Sequence, residues 1–439
     1  MGDVLIDLGE LSRERQRTRP VARRRRPASY RAALAGLGIV LVALLTGGAH
    51  RGPPVPPTVI DARLGDQMFV GDGRLFVVSP GSALPGSAVR NKIISGYALP
   101  SGELISRTTV AVSGAIFDVT AAGPVVLVSY QVDTAGVEAT VALTEGTDRA
   151  LWRRSSRMLS VSERNGLVLL HENSPQFGSL NWSGVDLYTG AQRWSLQQPV
   201  RGFTTGADFV DGFPRFLVTA TDAGDLEVRD AITGAVTATA KAPVRPQQAG
   251  ADVPVWPTDD LVLVGAPRGT TAYELPTLVE RWHSDAELAG RWVQSSCAAA
   301  ICSLSWRGGL RVLDPATGRE RWFSDRWNFA DQIGPYLLAS DNVVTGSAAT
   351  VSVVDPVTGR VRGTFGAWHT IGKARPNGTV IGLRQDLSRD TVWYAQLDPA
   401  TLAVHLLGRA EHVSGDCQTT DDVLVCRRID ARVGVWRLK

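Results

Sequence analysis

From residue 57 onward, apolar and polar positions alternate in short runs rich in Val, Leu, Ile and Thr, each bounded by Gly, Asp, Asn or Pro. PRFLVTATD (214–222) leads through a turn into DLEVRD (225–230), and DLVLVGAP (260–267) leads into TTAYEL (270–275). A period of two between turn-forming residues predicts strands joined by tight turns. No amphipathic helix of useful length interrupts the pattern, so the expectation is an all-β chain.

One stretch organises the rest. DPATGRERW (314–322) combines an Asp that can bond to its own turn backbone, a Pro that fixes one dihedral and a Gly that accepts positive φ. Weaker copies are DLYTGAQRW (186–194), DAITGAVTA (230–238), ELPTLVERW (274–282), DPVTGRVRG (355–363) and DPATLAVHL (398–406). Turn residues are assigned to Asp186, Gly190, Asp230, Gly234, Asp314, Gly318, Asp355 and Gly359. With fainter openers at Ala98, Thr144 and Arg437, the separations run from 39 to 46 residues. Each interval has room for four short strands, which fits a propeller blade. The expected fold is a single β-propeller of eight four-stranded blades, with nine left open. The last unit ends one strand short, and PTVIDARL (57–64) is placed to supply that strand and close the ring.

The pattern Asp-x-x-Thr-Gly-x-x-x-Trp resembles the pyrroloquinoline-quinone-type repeat of quinoprotein-like β-propellers. The resemblance covers roughly residues 58–439 and implies that Trp152, Trp194, Trp282 and Trp322 dock between neighbouring blades. Membrane-anchored proteins of this appearance are common in actinobacteria, which agrees with basic residues that are almost all Arg.

The N-terminus carries different signals. Residues 1–31 are an Arg-rich tail with RRRR at 23–26, and residues 32–49, from Ala32 to Ala49, are eighteen residues without a charge. That length spans a bilayer core as a helix, and the cations before it keep the tail in the cytoplasm. An uncleaved signal anchor is preferred to a cleaved signal peptide. Residues 50–58 form a Pro-rich linker, and residues 59–439 form the exported propeller. The expected location is the cell membrane, single-pass, with the propeller outside.

Charge narrows the partners. Residues 1–51 balance at +6, leaving the remainder near −3 with 36 basic and 39 acidic residues. The folded part therefore lacks a general basic field, and nucleic acid is not an expected partner.

Catalytic signals are sparse. Quinoprotein dehydrogenases hold their quinone beside calcium and, among the alcohol dehydrogenases, use adjacent cysteines; this chain has no CysCys pair. DAGDLEVRD (222–230) is the nearest candidate for calcium, but its alternation suits a solvent-facing strand edge. The six histidines lack paired metal spacing, and no GxSxG elbow, Walker loop or dinucleotide fingerprint is present. The expectation is no catalytic residue, no metal site and no cofactor. Two local disulfides are expected, Cys297 with Cys302 and Cys417 with Cys426, because each pair flanks the first hairpin of its repeat.

The leading functional expectation is a non-catalytic, membrane-anchored, monomeric propeller that binds a protein, cell-wall component or small molecule. A degenerate quinone-dependent dehydrogenase or other propeller enzyme is the alternative, and an extracytoplasmic sensor a second. Long loops at 81–91 and 171–181 are candidate contacts, with Phe177 and Trp182 as candidate exposed aromatics, either of which could instead fill a blade core.

Overall fold

The computed structural model describes residues 56–438 except 84–88, 133–135, 174–179, 200, 244–253, 267, 295–296, 298, 306–307, 342–349 and 387–389. The Arg-rich tail, the segment from Ala32 to Ala49, most of the linker and Phe177 lie outside the described residues.

Nine four-stranded antiparallel sheets form among the described residues, each a simple meander. Blades 1 to 8 occupy residues 67–112, 116–154, 157–197, 202–241, 255–284, 291–324, 329–366 and 369–411. Blade 9 takes three strands from residues 413–437 and its fourth from Thr58–Ile60, with Thr58 opposite Val435 and Ile60 opposite Val433. The chain's first strand thus closes the ring, covering Val433–Arg437 and forming the outer edge of blade 9 itself. Thr58, read from sequence as the end of the linker, belongs to that strand.

The expected count of eight is corrected to nine, because every turn opener ends or directly follows a third strand, the faint ones included. The Ala98 amide donates to the Glu103 carbonyl at 2.8 Å, and Thr144 to Arg149 at 3.3 Å, as Asp186 does to Ala191 at 2.8 Å. Backbone hydrogen bonds define the turn, so a copy can lose its Asp, Gly and Trp and still make a blade. In blades 1 to 7 the ladder between the third and fourth strands also shifts register immediately before the opener, as between Gly184 and Val185. Such a bulge increases local twist, which a propeller blade requires.

First strands lie innermost, where glutamines tie neighbours together. Gln67 Nε2 of blade 1 donates to the Ile116 carbonyl of blade 2 at 2.9 Å, and the Gln294 amide reaches from blade 6 to the Ala330 carbonyl of blade 7. At the closing seam, Gln418 accepts from the Val70 amide at 3.2 Å and donates to the Met68 carbonyl at 3.3 Å. Fourth strands such as Val236–Lys241 are mostly exposed and form the rim.

The core is distributed rather than central. Nine clusters each join two successive blades; Ile94 and Val110 meet Val119 and Val126 between blades 1 and 2, and Val425 and Val433 meet Met68 and Leu75 across the seam. Each fully buried aliphatic side chain contributes about 1.5–3 kcal/mol, so every interface draws on several.

A meander divides the connections between two faces. One face carries the hairpins between first and second strands and the repeated turns between third and fourth. The opposite face carries the longer, non-repeated loops between second and third strands and the crossings to the next blade. These are called the turn face and the loop face below.

Candidate functional site

The repeated residues build the turn face. Asp186 Oδ1 accepts from the amides of Tyr188 at 3.0 Å and Thr189 at 2.9 Å, while Oδ2 meets the Arg193 guanidinium at 2.6 Å. Asp230 accepts from Ile232 and Thr233, Asp314 from Ala316 and Thr317, and Asp355 from Val357 and Thr358 in the same way. Arg193 holds the Asp186 carboxyl down at about 2. Asp314 is lowered chiefly by Arg321, and Asp355 by the Thr358 amide. Carboxylates engaged this way are anchored acceptors, poorly suited to moving protons.

The tryptophans dock on the next blade's turn. Trp152 Nε1 donates to the Leu187 carbonyl at 2.8 Å, Trp194 to Ile232 at 3.0 Å, Trp282 to Pro315 at 2.8 Å and Trp322 to Pro356 at 3.0 Å. Their rings lie over Gly190, Gly234, Gly318 and Gly359, all at positive φ, where an added Cβ would meet ring or β-carbons at 2.3–2.7 Å. Where the preceding blade offers a small residue instead, the turn supplies the bulk: Leu278 packs in the cluster that Ala238 joins, and Leu402 fills the space over Gly363. The closing strand makes the same contact at Gly102, where a Cβ would stand 2.4 Å from Thr58 Cγ2.

Both disulfides form, Cys297 to Cys302 with Cα atoms 5.8 Å apart and Cys417 to Cys426 at 4.1 Å. Each staples the connection between first and second strands, in blades 6 and 9 respectively.

The loop face is built from residues that the repeats do not share. Phe203 stands opposite Ala220 and Trp292 opposite Leu304, the same rung when counted from the turn openers Asp230 and Asp314. Phe117 bulges out at that level between Ile116 and Asp118. All three begin innermost strands and are exposed, Trp292 at 57%. Beside them Arg157 lies over the Phe117 ring at 5.6 Å and approaches Glu138 at 3.8 Å. His171, opposite Arg157 on the ladder, is lowered by burial and then by Arg157, and its ring meets Trp182 edge-on at 5.3 Å. Sequence reasoning missed this aromatic set because its members sit in three different repeats, Trp292 at a different spacing from its turn opener than Phe117 and Phe203. Of the two readings of Trp182, the core one holds: it lies in the strand Leu180–Asp186 and is buried.

A cleft of about 400 Å³ opens at the closing seam, where the first strands of blades 9, 1 and 2 converge. It runs along Met68, Phe69 and Val70 to the turn at Asp72, with Asp118, Thr120 and Gln418 on the other walls. Burial raises the Asp118 carboxyl against the opposing pull of Thr120, whose hydroxyl donates to it at 3.3 Å.

The acids of the calcium candidate are engaged separately. Asp225 pairs with Lys241 at 2.7 Å, Glu227 with Arg229 at 2.6 Å and Asp222 with Arg201 at 3.7 Å, while Asp230 holds its turn. His283 shares a hydrogen bond with Thr271 at 3.0 Å.

These features define a β-propeller whose repeats are structural. No family model and no curated protein matches the sequence. Among solved structures the chain is similar to BamB from Moraxella catarrhalis, at 16% identity, covering 88% of this chain and 98% of that one, with a TM-score of 0.42. It is also similar to the computationally designed Ika8 protein, at 16% identity over 74% of this chain and 96% of that one, TM-score 0.45. The C-terminal WD40 domain of Sif2 is a third, at 11% identity over 88% and 99%, TM-score 0.42. At these identities the likeness concerns the propeller fold alone.

Proposed function

We propose that this is a non-catalytic binding module, a propeller held outside the cell membrane by one N-terminal helix and engaging a protein or cell-wall partner through its loop face. The observation that carries this reading is the exposure of Phe117, Phe203 and Trp292 on one level of the innermost strands, on the face with the non-repeated loops. Exposed aromatics on a rigid sheet offer large contact area at little entropic cost. The acids of the repeats are occupied in turns, which supports binding rather than turnover. Anchoring rests on the arginines before the uncharged run from Ala32 to Ala49. Assignment to the pyrroloquinoline-quinone-type repeat, in a membrane-anchored actinobacterial protein, rests on the Asp-x-x-Thr-Gly-x-x-x-Trp pattern.

A photoreactive amino acid at Leu159, exposed on an innermost strand, is compared in intact cells with one at Ile232 on the turn face. A discrete crosslinked species from position 159 and none from 232 supports the reading. No adduct from either, or equal labelling from both, contradicts it.

A further inference from the structure

We propose that the seam cleft between blades 9, 1 and 2 binds an organic ammonium ion. Its volume of about 400 Å³ lies within the range of roughly 300–1,000 Å³ typical of small-ligand sites. The polar groups on its walls are acceptors or are already committed. Asp72 and Asp118 are carboxylates, the Thr120 hydroxyl is turned to Asp118, and Gln418 is held by the Val70 amide and the Met68 carbonyl. Among the described residues no Lys, Arg or His lines the cleft, and its two charged side chains are both acids.

Burial outweighs the compensation that the Asp118 carboxylate draws from the Thr120 hydroxyl and the Val119 backbone. Arg157 acts on it only after these, and shares its guanidinium with Glu138 and the Phe117 ring. Burial penalises the charged form, and a cation seated in the cleft lowers that penalty. Phe69, Met68 and Val70 supply an aromatic and apolar wall, which suits alkylated nitrogen through cation–π and methyl contacts. A hard metal ion is less well served, since it wants six or more oxygen ligands, and among the described residues no group of three metal-ligating side chains converges. The site exists only in the closed ring, because Gln418 and Asp118 come from opposite ends of the chain. It is independent of whatever the loop face engages.

Equilibrium dialysis of the purified full-length chain in nonionic detergent, against labelled choline and butylammonium, tests this assignment. The expected result is saturable binding of at least one ammonium, with 3,3-dimethylbutan-1-ol, the uncharged isostere of choline, weaker by on the order of tenfold or more. Asp118→Asn is expected to weaken binding by a similar factor, with an unchanged unfolding midpoint. If that variant does not fold, Asp72→Asn, on the exposed hairpin turn, is read in its place and is expected to weaken binding several-fold. Absence of saturable binding by both ammonium probes, equal binding of the uncharged isostere, or unchanged affinity in the folded carboxylate variant overturns the assignment.

Discussion

Gly363 in blade 7 and Leu402 in the turn of blade 8 fit as void and knob: a Cβ on Gly363 would stand 2.4 Å from Leu402 Cδ1. One interface earlier the roles are reversed, with the Trp322 ring over Gly359. Bulk is therefore conserved across an interface rather than at a position. Gly363→Trp alone is expected to overpack at a cost of about 1–3 kcal/mol; Leu402→Gly alone loses a half-buried side chain but relieves a left-handed backbone (φ 62°), for a net cost of about 1–2 kcal/mol. The double variant is expected to recover at least about 1 kcal/mol relative to the sum, read from a double-mutant cycle in urea. Strict additivity contradicts the pairing.

At Gly190 two penalties coincide. The residue has φ of 66°, and an added Cβ would lie 2.4 Å from Trp152 Cγ. Gly190→Ala is expected to destabilise by about 2–4 kcal/mol, from left-handed backbone strain together with overpacking. Gly136, also at positive φ (85°), has no atom within 4 Å of such a Cβ. Gly136→Ala is therefore expected to show only the backbone share, about 1–2 kcal/mol, in the same denaturation assay.

Stability in acid reports on the Asp186–Arg193 pair. The folded carboxyl sits at about 2, below its ordinary 3.8, so the contribution is fully present above the unfolded value and is lost as pH falls through about 2. Solvent reaches the pair, which limits the contribution to less than about 1 kcal/mol. Asp186→Asn retains an oxygen for the Tyr188 and Thr189 amides but loses the ion pair. Its deficit against the parent is expected to be largest above about pH 4 and to vanish towards about pH 2 in urea titrations. A deficit that grows on acidification contradicts the assignment.

Closure depends on Thr58–Ile60. A chain that begins at Asp61 leaves the strand Val433–Arg437 with a free edge and Gly102 without Thr58 above it. Such a chain is expected to melt at lower temperature than one that begins at Pro56 and to self-associate with concentration, as measured by light scattering. Identical melting and monomeric behaviour would count against this strand as the closure.

The turns are readable because Asp and Gly act within one short turn, and the Trp recurs at a fixed spacing from them even though it docks 33 to 38 residues ahead on the next blade. All nine openers, from Ala98 to Arg437, end or directly follow third strands, and a count of eight discounts a copy whose side chains have decayed. Ring closure by residues 58–60 was also legible, since the last unit lacked a strand and the first segment had one to spare. The seam cleft was not, because Asp118 and Gln418 meet only through closure and no local pattern records that. Phe117 illustrates a second limit: a bulge turns it out to solvent, and alternation alone cannot register a bulge. Trp182 shows the converse, a residue beside a polar loop that the strand pairing of His171 with Trp182 carries into the core.

The division between structural repeats and a functional loop face is tested most directly by Phe117→Ser, Phe203→Ser and Trp292→Ser combined, with the photoreactive group at Leu159. Phe117 and Phe203 expose 37% and 38% of their surface and Trp292 57%, so the variant is expected to remain folded at a loss of about 2–4 kcal/mol while the crosslinked species disappears. Retention of the crosslinked species, or its loss together with a collapse in stability, would contradict that division.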